Sequence, residues 1–222
     1  MKQRALIFDL DGTLTDSGEG VINCAQLALR HFGLPAEDRE AMRVFVGPPL
    51  RESFPWFGVK PEQVEEAVAV FRSRYNTVGK YENVPYPGIH QLLDDLRAAG
   101  YLLYVGTSKP ETTALDVLNK FELAERFDQI CGADFAGDRD NKDDVLRYLL
   151  KNLPPDTGTL MIGDTIYDVE GAAKLGIPTV GVSWGFGNVE DMKRAGAVAI
   201  VDTPAELLQL LKREDFVKKT FC

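Results

Sequence analysis

Ala5-Leu6-Ile7-Phe8-Asp9-Leu10-Asp11-Gly12-Thr13-Leu14-Thr15-Asp16, close to the first residue, sets the reading of the whole chain. Four apolar residues run into two carboxylates one residue apart, and a short apolar run flanked by glycine and polar residues is the pattern of a buried strand. In open α/β sheets ligands sit beyond the carboxyl ends of the strands, so Asp9 and Asp11 are expected to leave this strand where chemistry is done. Side chains alternate along a strand, which would put both carboxylates on one face and against one small volume. Two anions that close need a cation, a shared proton or exposure to water. Gly12 lets the backbone swing away, and Thr13 can satisfy local polar groups. Alone, Asp-x-Asp also fits a strand ending in a solvated acidic turn, so the rest of the chain has to separate the two readings.

Downstream, the hydrophobic period changes once. Over residues 16–82 it is helical. Val21, Cys24, Ala25, Ala28, Leu29 and Phe32 follow Ser17 as a candidate N-cap, and Gly33 stops the helix. A short helix is expected over 37–44, broken by Gly47-Pro48-Pro49, then a further helical turn over 50–54. Pro61 opens a longer helix with Val64, Ala67, Val68, Phe71 and Tyr75 on one stripe. From Gly88 onward, helices and apolar strands alternate, with strands expected at 101–105, 127–131, 159–162, 178–182 and 198–200, and a last helix after Thr203-Pro204. Such alternation implies right-handed crossovers and a parallel sheet. The expected fold class is α/β, with a Rossmann-like parallel sheet core flanked by helices (residues 1–15 and 83–222) and an inserted all-helical cap domain (16–82).

The 222 residues suffice for one sizeable domain or a core with a small satellite domain. A net charge of −9 argues against non-specific nucleic-acid binding and against anionic membranes, both of which need a basic surface. It leaves room for a small anionic substrate at a locally positive site. Cys24, Cys131 and Cys222 are far apart and odd in number, which shows neither metal spacing nor a disulfide framework and points to a reducing cytoplasm. The apolar lead-in to Asp9 is too short for a signal peptide, and no apolar run approaches the roughly 20 residues of a membrane span.

Further polar groups fall at predicted strand ends. Thr107 and Ser108 follow Leu102-Leu103-Tyr104-Val105-Gly106, where hydroxyls and N–H groups at a helix start would suit a phosphoryl group or serve simply as a cap. Lys142 stands in Asn141-Lys142-Asp143-Asp144-Val145, a place where a lysine is usually solvated. Asp164 and Asp168 stand in Gly163-Asp164-Thr165-Ile166-Tyr167-Asp168, after Leu160-Met161-Ile162. Two acidic clusters meeting at one sheet edge make a hard-cation site, and Mg²⁺ favours oxygen ligands.

Phe8-Asp9-Leu10-Asp11-Gly12-Thr13-Leu14, Thr107, Lys142 and Asp164/Asp168, in that order, resemble the four motifs of the haloacid-dehalogenase-like hydrolases. The helical insert after the first motif resembles that family's small helical cap. Thr107-Ser108-Lys109-Pro110 and Phe45-Val46-Gly47-Pro48-Pro49-Leu50 are similar to its phosphoglycolate-phosphatase-like branch, which includes 5′-nucleotidase-like members. The resemblance implies a Mg²⁺-dependent phosphatase acting on a small phosphorylated metabolite through an aspartyl-phosphate intermediate. It implies that Asp9 is the nucleophile and Asp11 the general acid and base. By the same resemblance Thr107, Ser108 and Lys142 bind the phosphoryl group, and Mg²⁺ is held by the Asp9 carboxylate, the Asp11 carbonyl and the Asp164 carboxylate. Asp168 would orient a metal-bound water or Lys142. A β-phosphoglucomutase-like phosphotransferase shares every one of these residues, and a non-catalytic binding protein on the same fold is the alternative outside enzymes. Arg51, beside Gly47-Pro48-Pro49, either reaches a distal anionic group of the substrate or is a solvated arginine at a helix start.

Overall fold

A computed structural model describes residues 3–134, 139 and 141–221; Cys222 lies outside them. The chain divides into two compact units, one from its start through Thr15 and from Pro85 onward, the other Asp16–Val84. The first strand, β1 (Arg4–Phe8), is apolar without alternation because both its faces are covered. Leu6 and Phe8 belong to one hydrophobic cluster, Ala5 and Ile7 to another. The chain crosses to the second unit in β2 (Thr15–Asp16).

In that unit α1 (Gly18–His31) buries the expected stripe of Val21, Cys24, Ala25, Ala28 and Leu29. Ser17 stands at its N-cap without a side-chain bond; the Asp16 carboxylate accepts from the Gly18 N–H at 3.0 Å instead. The expected helix over 37–44 is a single 3₁₀ turn, Ala41–Phe45. Asp38 caps the Ala41 N–H at 3.0 Å, which starts the turn there. Next come α2 (Leu50–Trp56), longer than the expected turn, a 3₁₀ turn at Pro61–Gln63, and α3 (Val64–Tyr75). Phe45, Phe54, Phe71 and Tyr75 form a chain of ring contacts 5.1 to 6.4 Å apart at the centre of this unit. A last 3₁₀ turn, Gly79–Tyr81, lies against α1 at Gly20, where any Cβ would strike the Gly79 carbonyl. The chain returns through β3 (Val84–Pro85), which pairs with β2.

The first unit then continues with α4 (Ile89–Ala98), β4 (Leu102–Pro110), α5 (Glu111–Lys120), β5 (Gln129–Ala133), α6 (Lys142–Leu150), β6 (Gly158–Gly163) and α7 (Ile166–Ala173). It ends with β7 (Thr179–Val182), α8 (Val189–Arg194), β8 (Ala199–Val201), α9 (Pro204–Lys212) and α10 (Glu214–Thr220). The last of these has no counterpart in the sequence reading. Six strands make one sheet in the order β5-β4-β1-β6-β7-β8, every pairing parallel. From β1 the chain builds outward on one side through β4 and β5, then resumes on the other side at β6. That reversal is the topological switch point at which open α/β sheets bind ligands. Leu103 and Val105 of β4, Leu160 and Ile162 of β6 and Val180 of β7 continue the Leu6/Phe8 cluster on one face. Tyr104 and Met161 continue the Ala5/Ile7 cluster on the other, against α6. No helix among the described residues is long and apolar enough to cross a membrane.

Candidate active site

β1 ends at Phe8, but the Asp9 N–H still donates to the Ile162 carbonyl at 2.9 Å, so Asp9 stands at the carboxyl edge of the sheet. The Leu10 N–H donates to Asp9 Oδ1 at 2.7 Å. Lys142, first residue of α6, brings its Nζ to 2.9 Å from Asp9 Oδ1, 2.8 Å from Asp168 Oδ1 and 3.0 Å from the Gly106 carbonyl. The Gly106 contact is a hydrogen bond, and the contacts to the Asp9 and Asp168 carboxylates are ion pairs. Asp168 lies in the first turn of α7, and its Oδ2 accepts from the Thr165 N–H and hydroxyl at 3.0 and 2.9 Å. Asp164, just past β6, accepts from the Thr13 hydroxyl at 3.2 Å on one oxygen and from the Phe186 N–H at 2.9 Å on the other.

Oxygens of Asp9, Asp164 and Asp168 lie within 4.8 Å of one another. Asp9 is 7% exposed, Lys142 5%, and Asp164 and Asp168 0%, so three carboxylates and one ammonium share a dry site. Burial, then the charges of Asp168 and Asp9, push the Asp164 carboxyl well above the usual carboxylate range, against the Phe186 and Thr13 hydrogen bonds. Burial also raises Asp168, although the Lys142 ammonium opposes it. For Lys142 burial works downward, but Asp168 and Asp9 outweigh it and hold the ammonium charged. The excess negative charge, all on oxygen, fits a hard divalent cation.

The Asp11 carboxylate is not among the three clustered carboxylates. The alternation that would have paired it with Asp9 stops with the strand, and Asp11 sits in a tight turn bridged to Thr15. Its carboxylate is held by Lys109, whose Nζ lies 2.7 Å from it. Gly12 makes this turn possible: its φ is +87°, and a Cβ there would collide with the Asp164 carboxylate. Thr107 and Ser108 lie within β4, which runs on to Pro110 through a register shift after Gly106, and not at a helix start. Pro110 holds extended backbone and postpones the helix to Glu111. Thr107 is buried and its hydroxyl accepts from the Lys109 N–H at 3.3 Å. Ser108 is half-buried on the opposite alternation. Arg51 belongs to the second unit, where its Nε and Nη2 meet the two carboxylate oxygens of Glu65 at 2.6 and 2.9 Å.

Two contributors, Lys109 and the Ser183–Gly187 loop, escaped the sequence reading, and Thr13, expected to satisfy local polar groups, reaches Asp164. Lys109 is 7% exposed and two residues from Thr107, so the strand period that marks Thr107 also marks Lys109. Thr13 and the Ser183–Gly187 loop hold Asp164 in place. Trp184 Nε1 donates to the Thr13 carbonyl at 3.0 Å, and a Cβ at Gly185 would collide with Asp164. The glycine spacing of Gly185-Phe186-Gly187 is the available signal for a close backbone approach.

Residues 6–182 match the family model for haloacid dehalogenase-like hydrolases. A tyrosine-protein kinase, PtkA of Mycobacterium tuberculosis, is 41% identical over 196 residues, covering 88% of this chain and 67% of that one. A 5′-nucleotidase of Pseudomonas aeruginosa is 37% identical over 191 residues, 85% of this chain and 86% of that one. The crystal structure of a predicted phosphatase from Clostridium acetobutylicum superposes with a TM-score of 0.88 at 40% identity, covering 94% of this chain and 98% of that one. The sheet order, the buried carboxylates beyond its switch point and these similarities agree: the chain belongs to the haloacid dehalogenase-like hydrolases.

Proposed function

We propose that this chain is a Mg²⁺-dependent phosphatase of a small phosphorylated metabolite, with Asp9 as nucleophile. The observation that carries the reading is the dry cluster of Asp9, Asp164, Asp168 and Lys142 at the sheet's switch point. Asp9 and Asp164, with the Asp11 carbonyl, would hold Mg²⁺, which supplies charge neutralisation for a phosphate dianion approaching a carboxylate. Lys142 and the Leu10 N–H both bind Asp9 Oδ1, which fixes the carboxylate rotamer and turns Oδ2 to attack phosphorus. The new bond is Asp9 Oδ2 to phosphorus, and the bond that breaks is phosphorus to the leaving oxygen. Asp11 gives the leaving oxygen a proton, then takes one from the water that hydrolyses the acyl phosphate. The Thr107 hydroxyl is the donor for a transferring phosphoryl oxygen, while the Ser108 hydroxyl stands on the opposite alternation of β4. Lys142, ion-paired with Asp9 and Asp168 at once, works mainly as counter-ion and positioner of Asp9. The Asp16–Val84 unit serves as the cap that selects the leaving group. The setting is the cytoplasm, in keeping with Cys24 and Cys131, which are buried free thiols.

The similarity to PtkA favours a second reading, transfer of the phosphoryl group from a nucleoside triphosphate to a tyrosine hydroxyl. One experiment separates the two. Phosphate release from 4-nitrophenyl phosphate, phosphoglycolate and nucleoside monophosphates is measured beside ATP-dependent labelling of a tyrosine peptide, each with Mg²⁺ and with excess chelator. The phosphatase reading expects Mg²⁺-dependent release that falls by about a thousandfold or more in folded Asp9→Asn. Full release in chelator, or in folded Asp9→Asn, overturns it.

A further inference from the structure

Three hydrogen bonds close a ring around Asp164. The Trp184 indole N–H donates to the Thr13 carbonyl at 3.0 Å, the Thr13 hydroxyl donates to Asp164 Oδ1 at 3.2 Å, and the Phe186 N–H donates to Asp164 Oδ2 at 2.9 Å. The backbone from Trp184 to Phe186 completes the ring, and Gly185 between them leaves no room for a side chain against Asp164. We infer that Trp184 is a positioning residue for the metal: its indole N–H fixes Thr13, Thr13 fixes Asp164, and the affinity for Mg²⁺ follows from both. The inference rests on the proposed role of Asp164 as a metal ligand and adds to it a residue outside the carboxylate cluster.

The placement of Thr13 depends on this bond. In the turn after β1, the N–H groups of Thr13, Leu14 and Thr15 go to the Leu10 carbonyl at 3.3, 2.9 and 3.0 Å, and the Gly12 N–H goes to the Thr15 carbonyl at 2.8 Å. The Thr13 carbonyl takes its hydrogen bond from outside the turn, at Trp184. Thr13 is 0% exposed, so a carbonyl that lost the indole would have to turn toward another donor. Turning that carbonyl turns the residue, and the hydroxyl that holds Asp164 turns with it.

The indole is itself fixed. It packs on the Leu6/Phe8 cluster, and the Tyr86 ring meets it edge to face, with 6.4 Å between centroids and 62° between planes. The Tyr86 N–H donates to the Leu14 carbonyl at 3.1 Å, so the turn is gripped at two successive carbonyls, Thr13 and Leu14. A tryptophan side chain has only two rotatable bonds and loses little freedom when it is packed. The three clustered carboxylates repel one another when no cation balances them. A carboxylate restrained against that repulsion meets a cation without rearranging, and outer hydrogen-bond partners of metal ligands are worth about 10- to 100-fold in affinity.

The test is calorimetric titration of Mg²⁺ into the full chain as wild type, Trp184→Phe, Thr13→Val and the double variant. The inference expects the Mg²⁺ Kd to rise about tenfold or more in Trp184→Phe, which keeps a ring and loses the N–H. The double variant should bind no more weakly than Thr13→Val alone, because both substitutions act through one hydroxyl. Release of phosphate from 4-nitrophenyl phosphate should need about tenfold more Mg²⁺ in Trp184→Phe and still reach nearly the wild-type kcat once Mg²⁺ saturates. The chain has two tryptophans, so in a Trp56→Phe background all tryptophan emission comes from Trp184. That emission should change on Mg²⁺ addition with the calorimetric midpoint, and stay constant once Asp164→Asn is added. This titration decides if Trp184→Phe does not fold. An unaltered Mg²⁺ Kd in Trp184→Phe overturns the inference, as do additive effects of the two substitutions, a kcat that stays low at saturating Mg²⁺, or Trp184 emission that ignores Mg²⁺. Absence of Mg²⁺ binding by wild type overturns it together with the metal reading. If wild type and variants bind Mg²⁺ as expected and no phosphate is released, the phosphatase reading falls and the inference stands.

Discussion

Asp164 takes one donor on each oxygen, the Thr13 hydroxyl and the Phe186 N–H, and still lies among Asp9 and Asp168 with a raised pKa. A carboxyl that binds its proton more tightly folded than unfolded destabilises the fold as pH rises from the unfolded value of about 4 toward the folded one. Asp164→Asn removes the charge, and its amide can accept from Phe186 and donate to the Thr13 oxygen. In metal-free protein the Tm difference, variant minus wild type, should be near zero at pH 4 and grow positive toward neutrality, by roughly 2–4 °C for each kcal/mol regained. Thermal melts across pH check this, and added Mg²⁺ should raise the wild-type Tm and leave the variant's unchanged. At Lys109, the ammonium holds the Asp11 carboxylate, which the proposed reaction uses as acid and base. Lys109→Met should lower kcat/KM about tenfold or more for an alkyl phosphate, whose leaving group needs the proton, and much less for 4-nitrophenyl phosphate; Lys109→Arg should restore part of the loss. Asp9 and Asp164 could be picked out in the sequence because each stands just past an apolar run, and Asp168 because it follows Asp164 by four residues. Lys109 shares the strand period of Thr107, and Thr13 stands in the first acidic turn, but the partners they meet across the chain, Asp11 and Asp164, are not legible in the sequence.

Elements whose signal is local are those the sequence predicts well. β1, β6 and β7 are short apolar runs, β1 ended by Asp9 and the other two marked by glycine or proline, and α3 shows its stripe. β4 differs from its prediction because hydrogen bonding to β5 carries it past Gly106 to Pro110, a matter of tertiary pairing and not of propensity. The loop after β7 is the element whose role was least visible. Gly185 and Gly187 come so close to Asp164 that no side chain fits at either position. Gly185→Ala should therefore displace the Asp164 carboxylate and weaken Mg²⁺ binding about tenfold or more, read by calorimetric titration of Mg²⁺ into the protein. The secondary structure should be retained by circular dichroism, because the displaced group lies in a loop.

At the scale of the whole molecule, the proposed function gives the sheet unit the phosphate, which every substrate shares, and would leave discrimination to the other unit. Arg51, clasped by both oxygens of Glu65 at the surface, needs little reorganisation to exchange that carboxylate for one on a substrate. Arg51→Ala should lower kcat/KM for phosphoglycolate about tenfold and leave 4-nitrophenyl phosphate unchanged; equal effects on both would remove Arg51 from substrate choice. The sheet order has a different consequence, for the birth of the protein. β1 lies between β4 and β6, yet the helical unit is translated before either partner. At about 5–20 residues per second, the strand leading to the nucleophile waits on the order of ten seconds for β6 to emerge. Through that interval Ala5–Phe8 is an apolar segment with both edges unpaired, the kind that aggregates. Asp16–Val84, contiguous and helical, can meanwhile complete its own core. On the ribosome, then, the contiguous helical unit matures before the sheet, and the nascent β1 is the stretch a chaperone has most reason to hold.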